Sequence, residues 1–174
     1  MRVILFGFMG SGKSTYGRKL AKKLNYDFID LDHYIESKEK QSIKHIFHTQ
    51  GEDHFRKIEH NTLQEILEED NYVLATGGGT PCFHNNIRLM NSKGLTIYLK
   101  LDIKTLVSRL LNTKINRPLI WGKSEKELTD YIKKTLKKRK KYYKKAHLIV
   151  NAKDIDLEAL KRKIESKKNK SYRW

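Results

Sequence analysis

Gly7-Phe-Met-Gly-Ser-Gly-Lys-Ser-Thr15 decides the reading of this chain. It fits G-x-x-x-x-G-K-[ST], with Gly7, Gly12, Lys13 and Ser14 at the defining positions. A triphosphate is cradled by backbone N–H groups turned to one side. The chain must therefore bend sharply and approach the oxygens without a Cβ in the way, which Gly7, Gly10 and Gly12 permit. Gly10, Ser11, Gly12, Lys13, Ser14 and Thr15 are the candidate nucleotide-binding residues. Lys13 brings a mobile positive charge to the β- and γ-phosphates, and the Ser14 hydroxyl is a hard oxygen ligand suited to Mg²⁺. The flanks agree with this reading. Residues 2–6, RVILF, read as a buried strand, and 14–24 as a helix whose positive N-terminal end faces the anion.

The 174 residues suffice for one domain with a sheet covered by helices on both faces. The apolar fraction is low at 38%, but it comes in short, well-placed runs, which excludes a disordered chain. Cys82 is the single cysteine, so no internal disulfide forms and a reducing compartment fits. The first apolar run is too short for a signal peptide or a membrane span, so a soluble, cytoplasmic protein is expected. The formal charge of +17 resides largely in lysine runs at 133–145 and 161–173, on segments of helical periodicity. Lysine far outweighs arginine there, which suits a solvated surface and the steering of small anions better than base readout, so nucleic acid is not the expected partner.

Strands alternate with helices along the chain. Strands are expected at 26–30, 72–75, 95–99 and 148–150, and helices at 33–39, from Ser42, at 52–69, 85–92, 102–111, 125–145 and from Asp156 onward, with 167–174 frayed. Gly51 should break the helical run between Ser42 and Glu69. This alternation means a parallel sheet with right-handed crossovers. In such a sheet ligands lie at the carboxyl ends of the strands. Three strands end there in unusual residues: the phosphate loop, Asp30-Leu-Asp32, and Gly77-Gly78-Gly79. Read on an extended strand, Asp30 and Asp32 point to the same side. One carboxylate of the two can orient Mg²⁺ while the other accepts the proton of an attacking hydroxyl. The triple glycine suits close approach of a ligand to the main chain. Arg56 lies three residues before Glu59, a spacing that orients the guanidinium or makes a helix-surface pair.

Taken in order, Gly7–Thr15, Asp30-Leu-Asp32, Ser42-Ile43 with Ile46-Phe47, Phe55-Arg56 with Ile58-Glu59, Gly77-Gly78-Gly79, Arg117-Pro118-Leu119 and Arg139 followed by Tyr142 resemble the shikimate kinases over essentially the whole chain. The resemblance implies an α/β fold with a five-stranded parallel sheet in the order 2-3-1-4-5, similar to nucleoside monophosphate kinases. Within the single domain, 1–174, it implies a substrate-binding region at about 31–62 and a mobile lid at about 112–124. It further implies Mg²⁺-dependent transfer of the γ-phosphate of ATP to the 3-hydroxyl of shikimate, with one metal ion held by Ser14 and Asp30. Asp32 would bind the shikimate hydroxyls and serve as base, and Lys13 and Arg117 would act on the phosphates. Arg56, with Glu59 beside it, and Arg139 would clamp the carboxylate. Gly78 and Gly79 would meet the ring hydroxyls, Phe47 and Phe55 would pack one flank of the ring, and Lys153 would lie near adenine. Arg109 is left without a role. A monomer is implied. Gluconate or nucleoside monophosphate kinases share the phosphate loop, and a nucleic-acid-binding NTPase would suit the charge. None of these explains the rest of the set.

Overall fold

The structure is a computed structural model that describes residues 1–113, 120 and 122–171. Strands β1 (Arg2–Phe6), β2 (Asp27–Asp30), β3 (Tyr72–Ala75), β4 (Leu95–Lys100) and β5 (Leu148–Asn151) form one parallel sheet in the order β2-β3-β1-β4-β5. In β1, Val3 and Leu5 face one side and Ile4 and Phe6 the other, and all four are essentially unexposed. A central parallel strand has both faces covered, so it reads as a continuous apolar run.

One face is covered by α1 (Lys13–Leu24), α5 (Ile103–Leu111), α6 (Glu125–Tyr143) and α7 (Leu157–Ser171), through Leu20, Leu106, Leu110, Ile132 and Ile164. The other is covered by α2 (Leu31–Glu39), α3 (Ile43–Ile66) and α4 (Asn86–Lys93), through Ile35, Ile46, Leu63, Ile87 and Met90. Helix α6 serves both layers: Leu128 and Ile132 join the first core and Tyr143 the second. That crossing carries Arg139 around the end of the sheet.

Most element ends fall within two residues of expectation, and one departure has a physical reason. As expected, helix α3 is two helices meeting at Gly51, whose φ of 82° and ψ of 171° are not helical. The first begins on Ser42, whose hydroxyl accepts from the His45 N–H at 3.1 Å. Helix α7 continues to Ser171, where fraying was expected from 167. Leu160 and Ile164 seat it in the core, and lysines are good helix formers. Most of the expected lid, including Arg117, lies outside the described residues. Among the described residues no helix is long and apolar enough to cross a membrane.

Candidate active site

The carboxyl ends of β1, β2 and β3 meet at one edge because the strands are parallel and in register, with Leu5 opposite Ala75 and Asp30 opposite Ala75 on the far side. At the end of β1 the chain turns through Gly12, which has φ of 91° and caps α1 in the left-handed conformation. A Cβ there would lie 2.9 Å from the Tyr16 ring, so only glycine fits. The first bond of α1 runs from the Tyr16 N–H to the Gly12 carbonyl at 2.8 Å, which leaves the N–H groups of Lys13, Ser14 and Thr15 at the open start of the helix. The Lys13 ammonium donates to the carbonyls of Gly7 and Phe8, each at 3.1 Å. Ser11 is turned inward: its N–H donates to the Phe8 carbonyl at 3.1 Å and its hydroxyl is buried.

The Ser14 hydroxyl donates to Asp30 Oδ2 at 2.7 Å. Two hard oxygen donors thus touch beside the phosphate loop, a donor set that fits Mg²⁺ completed by phosphate and water. Among the described residues no group of three His, Cys, Asp or Glu side chains is placed to hold a metal by itself.

Asp32 corrects the reading of the acidic pair. Asp30 ends β2 in extended conformation and caps α2, and the fully buried Leu31 already starts that helix. Asp30 and Asp32 therefore diverge instead of sharing one face of a strand. Asp30 turns to Ser14, and Asp32 turns into a cavity of about 220 Å³ that it shares with Lys13, Arg56, Glu59, Gly77–Gly79 and Arg139. Burial pushes the Asp32 carboxyl up to about 6, with Glu59 and Asp30 adding to the rise and Lys13 opposing it.

Arg56 and Glu59 form a buried pair instead of a surface one. The guanidinium donates from Nη1 to Glu59 Oε2 at 2.8 Å and from Nη2 to Glu52 Oε1 at 3.0 Å. It also stacks over the Phe83 ring at 4.1 Å. Glu59 is 1% exposed and accepts in addition from the Thr80 hydroxyl. Asn86, itself fully buried, donates to the Thr80 carbonyl at 3.0 Å and shares a 2.6 Å bond with His60. The network is satisfied from end to end, which a buried charged pair requires.

The triple glycine has a reason that its spacing did not reveal. A Cβ on Gly79 would lie 2.7 Å from Arg56 Nη2, and one on Gly78 would lie 2.9 Å from Arg139 Nη1. At Gly78 and Gly79 the groups that a side chain would meet first are two guanidinium ions. Phe55 lines the cavity, whereas Phe47 packs against it in a tilted arrangement at 4.7 Å and is 36% exposed. Cys82 is half-buried, and its thiol is pushed up by that burial.

The sequence reading missed Glu52, Thr80, Phe83, Asn86 and Tyr143, and it gave Arg109 no role. Tyr143 accepts from Arg139 Nη1 at 3.4 Å, a contact that its i+4 spacing on a helix could have indicated. Arg109 donates to the carbonyls of Gly10 at 3.3 Å and Ala152 at 3.4 Å, bridging the phosphate loop to the segment of Lys153. The Lys153 side chain itself is exposed, and its N–H donates to Asn151.

A phosphate loop thus faces a carboxylate and two arginines across one small cavity. Residues 9–168 match the family model described as shikimate kinase. The chain belongs to the shikimate kinase family. It is similar to the shikimate kinase of Azobacteroides pseudotrichonymphae, 47% identical over 149 residues, which span 85% of this chain and 88% of that protein. It superposes on the crystal structure of shikimate kinase from Bacteroides thetaiotaomicron with a TM-score of 0.90 and 39% identity, covering 97% and 98% of the two chains. Shikimate kinase from Acinetobacter baumannii, solved in complex with shikimate, aligns with a TM-score of 0.83 and 32% identity over 99% of this chain and 95% of that one. A member of this family is a phosphotransferase acting on an alcohol group, with ATP as the phosphoryl donor.

Proposed function

We propose that this chain transfers the γ-phosphate of ATP to the 3-hydroxyl of shikimate, giving shikimate 3-phosphate and ADP on the route to aromatic amino acids. The observation that carries this reading is the shared cavity. Asp32 with its raised pKa, Lys13 of the phosphate loop and the guanidinium groups of Arg56 and Arg139 all border a space sized for a small ring acid.

A carboxylate is recognised best by guanidinium forks, and two of them enter here beside a backbone stripped of side chains. Arg56 and Arg139 hold the carboxylate end, with Glu52 and Glu59 keeping Arg56 in place. Gly78 and Gly79 meet the ring, and Phe55 flanks it with Phe47 in support. The hydroxyl end then falls to Asp32. Its carboxylate accepts the hydroxyl proton as the oxygen forms a bond to the γ-phosphorus and the bond from phosphorus to the bridging oxygen of ADP breaks. Lys13 neutralises charge on the phosphates, and the open N–H groups at the start of α1 bind them. Mg²⁺ would be held by Ser14 and Asp30, where it supplies charge neutralisation of the phosphates. Sequence resemblance supports Arg117 as a further phosphate ligand within a lid at 112–124, a substrate-binding region at 31–62, and Lys153 beside adenine. The charge of +17, which repels a second copy, supports a monomer, and dependence on ATP supports the cytoplasm as its place of work.

A coupled assay for ADP with shikimate, gluconate and nucleoside monophosphates tests the reading. Shikimate should be the acceptor. ADP release equal to the buffer blank with shikimate, together with turnover of another acceptor, would refute it.

A further inference from the structure

The two guanidinium groups of the cavity are held by different means. Arg56 is paired with two carboxylates, Glu52 and Glu59. Arg139 forms no ion pair among the described residues. Its Nη1 instead donates to the Tyr143 hydroxyl at 3.4 Å, and its guanidinium lies over the Phe8 ring at 5.7 Å. We propose that Tyr143 is the positioning residue of the carboxylate clamp, its hydroxyl setting the Arg139 guanidinium and the Gly78 peptide in register with each other. This inference rests on the reading of Arg139 as a ligand of the substrate carboxylate.

A phenol has one O–H to donate and lone pairs to accept with. Tyr143 donates its hydrogen to the Gly78 carbonyl at 2.6 Å and accepts from Arg139, so one oxygen joins α6 to the glycine loop. The ring cannot swing away. It is 1% exposed and packed against both Phe6 and Tyr98, with centroids at 5.6 Å and 4.8 Å. Burial holds its ionisation far above the ordinary phenol range, so the hydroxyl stays neutral and keeps its donor. Neutrality matters for the clamp. A carboxylate in this place would orient Arg139 equally well, but it would compete for the guanidinium with an incoming carboxylate. A hydroxyl orients the fork and leaves its full charge to the ligand. Gly78 completes the arrangement, since a Cβ there would sit 2.9 Å from Arg139 Nη1 and push the fork off the peptide.

Tyr143→Phe removes only the oxygen. The loss of bonds of this kind predicts a rise of about 3- to 10-fold in the KM for shikimate, with kcat and the KM for ATP within about twofold. The decisive comparison uses the shikimate analogue with a hydroxymethyl group in place of the carboxylate, as acceptor or competitive inhibitor. Its affinity should be the same for Tyr143→Phe and the unmodified enzyme. Each variant is assayed well below its own thermal midpoint, and a double-mutant cycle with Arg139→Lys repeats the measurement. In that background the added effect of Tyr143→Phe should fall below about twofold, because no fork remains to be braced. Equal weakening of both ligands, a matching rise in the KM for ATP, or an unchanged KM for shikimate would overturn the proposal. If Arg139→Lys leaves the KM for shikimate unchanged, the clamp reading itself fails. If it raises that KM while Tyr143→Phe is silent, only the positioning role fails.

Discussion

Asp32 sits where two demands conflict. A base must be ionised at the working pH, yet burial beside Glu59 and Asp30 favours its neutral form and brings the carboxyl to about 6. The rate consequence has a definite sign. With the proton acceptor lost as Asp32 is protonated, kcat/KM for shikimate should fall as pH drops through about 6, measured with ATP saturating. The stability consequence runs the other way. The folded-state pKa is raised above the ordinary 3.8, so the folded chain binds the proton more tightly than the unfolded one. The stabilisation this gives is complete below about 3.8 and is lost as pH rises through about 6. Asp32→Asn should therefore cut kcat by about 100-fold or more while raising the Tm at neutral pH, since it removes a buried charge. Unchanged turnover would remove Asp32 from the chemistry, and a lowered Tm would show that its charge is compensated in the fold.

Elements place these residues, and their junctions matter more than their lengths. The stop of β2 at Asp30 depends on Leu31 entering the core as the first residue of α2, which sends Asp32 into the cavity. The bend at Gly51 has a similar role. It lets the short helix from Ile43 pack Ile46 into the core while the second half of α3 presents Phe55, Arg56 and Glu59. At φ 82° and ψ 171° the backbone occupies a region open essentially to glycine, although nothing lies within 4 Å of where a Cβ would stand. Gly51→Ala should destabilise the fold by about 1–3 kcal/mol in denaturant unfolding, from backbone strain alone. A change below about 0.5 kcal/mol would mean that the bend relaxes into a continuous helix.

At the scale of the whole molecule the surplus of positive charge is the dominant surface property. Between residues 133 and 145 there are eight lysines and no acid. Self-repulsion on this scale opposes the compact state, and dissolved ions screen it over about 10 Å at 0.1 M. The Tm should therefore rise between about 0.05 and 0.5 M sodium chloride, while kcat/KM for anionic shikimate falls as its attraction is screened. A Tm indifferent to salt would mean that the lysines are too far apart to repel.

The sequence by itself determined the α/β alternation, the phosphate loop, the edge at which three strands converge and, through the order of its motifs, the family. These are local or periodic properties: a turn that only glycine can make, a repeat of 2 or of 3.6, a spacing. The tertiary structure alone decided which groups meet across elements. Read locally, Asp30 and Asp32 share a face, Arg56 and Glu59 can equally be a surface pair, and Gly77–Gly79 await a ligand. The fold separates the first pair, buries the second with Thr80 and Asn86 beneath it, and lays Arg56 and Arg139 against the glycines. Tyr143 acquires its partner at Gly78 only because α6 crosses the end of the sheet. Burial and contact between residues 65 positions apart arise from packing, and no periodicity encodes them.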